Sequence, residues 1–259
     1  MMQNEWLRKV RLNALMLLVI MLTACSSTPT LHPNLQTARS DFNNSQQTDT
    51  LEQYISKQLR LQKTFAQFAD VEYLIKSHLR LVDAYQRHQQ QALAAQSIEQ
   101  CKKLSVVRAY LAYHADCLLS EYQLQPSELL LQKIALMKLD KRQQAYLAYY
   151  QQDYTRLSEH LQSIEQTHPL DAAILHYQLG YSQSNIHSVT TSLALAQKHN
   201  LPQLVTDSLF LLSKLHHQAD SQQLSLWYFS LAQASAQAHQ PKLLKPMQQW
   251  FDSAHKANK

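Results

Sequence analysis

The chain has 259 residues, a single glycine, Gly180, and a formal net charge of +5 from 24 basic and 19 acidic side chains. Average usage of about 7% would give roughly eighteen glycines, so folds built on hairpin turns, β-bulges or phosphate-cradling loops, which need residues at φ > 0 or close backbone approach, are all but excluded. Helix formers dominate, with 35 glutamines among them, which points to an all-α protein; the slight basic excess is a poor footprint for nucleic acid, and no such partner is expected.

Residues 1 to 11 are basic, and Leu12 to Leu22 form an apolar stretch broken only by Asn13, about half of the roughly 20 residues that a membrane-spanning helix needs. The stretch ends Leu22, Thr23, Ala24, Cys25. This run resembles the lipobox of bacterial lipoproteins, with small residues before the cleavage point and the cysteine after it. The resemblance implies a signal peptide over residues 1-24 and a diacylglyceryl thioether plus an N-acyl chain on Cys25, enough lipid for stable membrane anchoring. In that family an aspartate after the cysteine commonly retains the protein in the inner membrane. Ser26 stands there instead, so the resemblance places the chain at the outer membrane, lipid-anchored on the periplasmic side. Residues 25-49 lack helical periodicity and read as the lipidated cysteine and a flexible tether, holding the rest roughly 27 Å from the lipid on average.

From Leu51 onward apolar residues recur at three- and four-residue steps. Leu51, Tyr54, Ile55, Leu59, Leu61 and Phe65 make one stripe, and Val71, Leu74, Ile75, Leu79, Val82 and Tyr85 the next, the signature of amphipathic helices. Breaks near Asp70, His88, Leu104, Pro126, Asp140, Asp153, Pro169, Asn185, Asn200, Asp220 and Pro241 divide residues 50-259 into about twelve helices, each break a proline, a capping residue or a short polar run. Pro126, Pro169, Pro202 and Pro241 stand 43, 33 and 39 residues apart, one helical hairpin per interval, as in helix-pair solenoids. The last unit carries Leu209, Leu212 and Ser213 on its first helix and Ser225, Phe229 and Ala232 on its second. It resembles a tetratricopeptide repeat. Leu179 and Gly180 supply the family's Leu-Gly pair at what reads as the equivalent place in the preceding unit, and Ala145, Leu157, Leu161 and Pro169 a weaker match before that. Ser213 and His216 depart from the family's glycine and tyrosine. The resemblance is clearest over 140-240 and implies a right-handed superhelix of antiparallel helix pairs, a solenoid with a concave face.

Cys101 and Cys117 are the thiols left after lipidation, and a periplasmic address favours a disulfide between them. A turn near Leu104 would put Cys101 about one helical turn before it and Cys117 about three and a half after it, too far for a bond unless residues 102 to 108 are loop. That favours two buried, inert thiols, and both readings stand. His114 and Cys117 share a helix face, but no third or fourth ligand accompanies them, so no metal site is expected. Tyr146, Tyr149, Tyr150, Tyr177 and Tyr181 fall at helical spacing, for which core packing is the default reading; the alternative is a concave face that grips a peptide or partner helix. Trp227, Tyr228 and Phe229 are consecutive and cannot all face one way, which makes Trp227 a further candidate for partner contact. Pro246 should kink or delay the last helix, leaving Met247, Trp250 and Phe251 as a cap or a docking edge.

No nucleophile elbow, phosphate loop or dinucleotide fingerprint occurs, and Glu121, Glu128, Glu159 and Glu165 read as solvated helix-face charges. The expectation is a non-catalytic, protein-binding scaffold or adaptor in envelope assembly, with another cell-envelope protein as partner, no cofactor and no small-molecule substrate. The alternatives are a peptidoglycan-acting enzyme of untypical helical fold and a periplasmic ligand-binding protein.

Overall fold

A computed structural model describes residues 31–45 and 50–256. Cys25, with the lipidation and signal peptide expected there, lies outside the described residues. Thirteen α-helices and no strand occur among the described residues, and twelve of the thirteen fall in the segment where periodicity predicted about twelve.

The chain divides into two compact units after Ala84. The first contains α1 (Pro33–Asn44), α2 (Leu51–Gln67) and most of α3 (Val71–Arg87). Helix α1 corrects the expectation of a tether through residue 49. Pro33 fills its first position, where the missing N–H costs nothing, and the His32 ring accepts from Asn34 N at 3.3 Å. Leu35, Ala38 and Phe42, spaced i, i+3 and i+7, bury against Leu61 and Phe65, each large side chain contributing about 1.5–3 kcal/mol. Polar groups hold both ends. Arg39 Nε meets Asp70 Oδ2 at 2.7 Å, and Arg80, its guanidinium 3.6 Å from the Phe42 ring, donates to Phe42 O and, at 2.9 Å, to Ser45 Oγ.

The second unit begins with a hairpin of α4 (Gln91–Ser105) and α5 (Leu111–Leu124), followed by the short α6 (Glu128–Ala135). Three further hairpins follow: α7 (Lys141–Tyr150) with α8 (Tyr154–Ile164), α9 (Pro169–Gln183) with α10 (Ile186–Lys198), and α11 (Pro202–Gln218) with α12 (Gln222–His239). Sequence neighbours pack against each other, and alternate helices also meet, α5 with α7, α7 with α9 and α9 with α11. The starts are chemically marked. Thr50 with Gln53 and Asp140 with Gln143 form capping boxes, Asp153 and Asn185 accept from the third residue of their helices, and Pro169 and Pro202 occupy first positions, as these residue types do at helix N-termini.

Among the described residues, six helix ends adopt the left-handed conformation without glycine. Ala69, Gln89, Gln152, Ser184, Asn200 and Asp220 all have φ between 51° and 59°. At each, the next residue's N–H donates back to the helix, as from Asp153 to Ala148 O at 2.9 Å and from Ser221 to His216 O at 2.9 Å. A left-handed non-glycine residue costs roughly 1–2 kcal/mol, and the pairing of otherwise orphaned terminal carbonyls offsets it.

The α4–α5 turn sits later than the expected break at Leu104. Helix α4 continues to Ser105, a 3-10 turn spans Arg108–Tyr110, and α5 starts at Leu111. Residues 102–105 are therefore helical, yet Cys101 and Cys117 lie level across the hairpin, with Cα atoms 5.8 Å apart, and form a disulfide. The later turn, several residues beyond Leu104, is what brings the two cysteines level.

Gly180 and Ser213, equivalent in the repeat resemblance, do not hold equivalent places in their helices. Gly180 precedes the left-handed Ser184 by four residues, whereas Ser213 precedes Asp220 by seven. Each serves its own crossing. A Cβ on Gly180 would run into Val189 Cγ2 and lie 3.0 Å from Val189 N. Ser213 and Ser225, both fully buried, donate to each other's carbonyls at 2.9 Å. The last helix, α13 (Leu244–Lys256), carries Pro246 in its first turn and follows a 3-10 turn at Pro241–Leu243. Its Met247 is buried, and Trp250 and Phe251 pack beside Phe229 and Phe210, so these residues cap the core.

Candidate functional site

The helices α5, α7 and α9 share a polar network set among apolar side chains. Asp116 on α5, 11% exposed, accepts from Arg142 Nη2 at 2.6 Å and from Gln143 Nε2 at 2.9 Å, both on α7. Gln143 Nε2 also donates to Ala112 O at 2.8 Å. One turn along α7, Tyr146 donates to Asp171 Oδ1 on α9 at 2.8 Å. Burial pushes the Asp116 carboxyl up, against the pull of Arg142 and Gln143. Burial opposes the Arg142 charge as well, but Asp116 and Asp171 outweigh it and hold the guanidinium above its ordinary value. The Tyr146 phenol is held well above its usual range by burial and by Asp171.

Tyr149 donates to Gln178 Oε1 on α9 at 3.1 Å, and the Tyr150 ring lies 4.9 Å from Tyr122 on α5 and 5.4 Å from Tyr149. The structure thus brings Tyr146, Tyr149 and Tyr150 together and engages each with a neighbouring helix, where they fasten α7 to α5 and α9. Tyr177 packs elsewhere, against Val189, Leu211, Leu212 and Leu215, a cluster that Tyr228 also covers. Tyr181, one turn later on α9, is 65% exposed. Trp227 is 54% exposed and stands edge-on to Tyr228 at 4.7 Å, while His216 stacks on the same tyrosine at 5.3 Å. Phe229 is buried, so the three consecutive aromatics divide between solvent, half-cover and core. Leu224 and Leu231, exposed and at helical spacing from Trp227, extend an apolar stripe along α12.

Asp207 on α11 has its carboxyl pushed up to about 6 by burial, partly relieved by a hydrogen bond from Gln240. The neighbouring Tyr177 phenol rises to about 12, from burial and then from the Asp207 charge. A carboxyl held above its ordinary value binds its proton more tightly in the folded protein than in the unfolded chain. Stability is therefore present at low pH and falls as pH rises from about 4 to about 6. Asp207→Asn is expected to flatten that fall and to raise the melting temperature at neutral pH; thermal melts across this range check it, and an unchanged slope would exclude Asp207 as its source.

The glutamates expected to be plain surface charges are in part paired. Glu121 meets Lys102 at 2.7 Å, and Glu165 Oε1 meets His176 Nε2 at 3.0 Å, where burial nonetheless lowers the imidazole. His114 is 2.9 Å from Ser105 Oγ, and its neighbour Cys117 is in the disulfide. Among the described residues no three His, Cys, Asp or Glu side chains are grouped as metal ligands, and no described helix is long and apolar enough to cross a membrane. Sequence reasoning missed the Asp116–Arg142 pair and Asp207. The first joins residues 26 apart, and nothing in the local pattern of either residue announces the other. No protein-family model, curated protein or solved structure matches the chain.

Proposed function

We propose that the chain is an outer-membrane lipoprotein, anchored through Cys25 and facing the periplasm, whose helical hairpins bind another cell-envelope protein as a non-catalytic scaffold or adaptor. The observation that carries the binding role is the exposure of Tyr181 and Trp227, aromatic side chains of the type that dominate protein interfaces, beside hairpins whose own cores are closed. The succession of hairpins whose first helices meet supports a tetratricopeptide-like build, continued as a right-handed superhelix. In this reading Tyr146, Tyr149 and Tyr150 shape the scaffold, and Tyr181, Trp227 and the Leu224–Leu231 stripe meet the partner. The lipobox resemblance of residues 22–25 supports the address.

The test compares three forms of the full-length, C-terminally tagged chain, crosslinked briefly in cells and purified from detergent-extracted envelopes. The parent is expected to carry lipid on Cys25 and to bring down one envelope protein in fixed ratio. Cys25→Ser is expected to lose the lipid mass and leave the outer-membrane fraction. Tyr181→Ser with Trp227→Ser is expected to keep lipid and location but lose the partner at least tenfold, since interface aromatics cost about 2 kcal/mol or more when removed. A parent that purifies alone sinks the scaffold reading, and an unchanged Cys25→Ser mass sinks the anchor.

A further inference from the structure

The α4–α5 hairpin ends in a turn whose chemistry is opposite to that of ordinary turns. Such positions favour Gly, Pro, Asn, Asp and Ser, and here the chain reads Val106, Val107, Arg108, Ala109, Tyr110, Leu111. Val106 is 64% exposed, Val107 56% and Leu111 46%. Leu136, just past the end of α6, is 89% exposed.

The turn is held rigidly from below. The Cys101–Cys117 disulfide ties the two helices one turn behind it, and both cysteines are fully buried. Ser105, the last residue of α4, donates to Cys101 O at 2.7 Å, lies 2.9 Å from His114 Nδ1 and 3.4 Å from Cys117 Sγ. Lys102 bridges the helices through Glu121 at 2.7 Å. The charge around the turn is one-sided. No carboxylate occurs between Glu99 and Asp116, while Lys103 and Arg108 fall in that interval beside Lys102, whose charge Glu99 and Glu121 already meet.

We propose that this disulfide-stapled tip is a membrane-contact site that seats in the headgroup region of an anionic bilayer. Val106, Val107 and Leu111 reach the acyl boundary, and the surrounding cations meet lipid phosphates. Charge complementarity selects this occupant over an apolar protein groove. Basic residues next to the tip whose neighbours in the chain include no carboxylate, Lys103 and Arg108, are drawn to an anionic surface, and exposed aliphatic side chains gain by leaving water at such an interface. The contact is weak and reversible, and it suits a protein already delivered to a membrane. It does not depend on the acylation of Cys25, and either can hold without the other.

Hydrogen–deuterium exchange on the full chain tests it locally, whatever else brings the protein to the lipid. Reconstituted on vesicles of phosphatidylglycerol and phosphatidylethanolamine, the amides of residues 106–111 are expected to exchange several-fold more slowly than on phosphatidylcholine vesicles, and to speed up again in high salt. Val106→Ser with Val107→Ser and Leu111→Ser is expected to abolish the protection, and Lys103→Glu to weaken it; both sites are exposed, so the fold is retained. Equal exchange on the two vesicle types overturns the proposal. So does protection that survives the triple serine variant, or protection that appears only when soluble acidic envelope proteins are added without lipid.

Discussion

Arg142→Ala is expected to be among the most destabilising single substitutions in the second unit, at about 3–5 kcal/mol, because removing one partner of a buried ion pair strands the other. Asp116 keeps only Gln143 as a donor and stays nearly covered. A loss of that size should lower the melting temperature by roughly ten degrees in a chain of this length. Two further variants separate the stranded charge from simple loss of packing. Asp116→Asn in the Arg142→Ala background removes the charge and is expected to recover much of the loss. The Arg142→Ala chain itself should regain stability as pH falls, since a carboxyl raised by burial is more easily protonated folded than unfolded. Urea titration of the single and double variants at neutral and mildly acidic pH reads all three effects. If the double variant is no more stable than Arg142→Ala alone, the charge is not the cause and the packing of the arginine stem is.

Gly180→Leu is expected to force apart the α9–α10 hairpin at a cost of about 3 kcal/mol or more, the upper range of overpacking in a closed core. The smaller change is more informative. In an open helix, replacing glycine by alanine gains about 1 kcal/mol. At Gly180 the new Cβ meets Val189 Cγ2 and sits 3.0 Å from Val189 N and 3.1 Å from Asn185 O. The side chain of Val189 can give way, and the backbone of α10 cannot do so without moving the helix. Gly180→Ala is therefore expected to be net destabilising, and Val189→Ala should cost less in that background than in the parent. A double-mutant cycle by chemical denaturation measures the coupling. If Gly180→Ala raises stability, the two helices are not held as close as their contact implies.

These two sites mark a limit on what can be read from the chain alone. The spacing of Leu35, Ala38 and Phe42 behind Pro33 was a helix signal, but three apolar residues in a polar run of twelve fall below what periodicity resolves. They become a helix because Leu61, Phe65, Asp70 and Arg80, 19 or more residues away, supply its buried face and its end contacts. The Leu179-Gly180 pair was recognisable as a close-packing signature, yet its register against Ser184 was not. The tyrosines of α7 were legible as a cluster at helical spacing, which is compatible with core and with a binding face alike. Hydrogen bonds to Asp171 and Gln178 and the ring contact with Tyr122 put them between helices.

By itself the sequence determined that the protein is helical and where ten of the eleven predicted breaks fall, because glycine scarcity, apolar spacing of three and four, and capping residues are local properties that act within one or two turns. Only the tertiary structure decided that residues 33–44 are helix, that Cys101 and Cys117 lie level enough to bond, that Asp116 belongs with Arg142, and which aromatics remain in water. Each of these depends on where a turn sits to within a few residues and on which helix packs against which. A shift of one residue rotates a helical side chain by about 100°, so long-range pairing is fixed by packing, which no local pattern encodes.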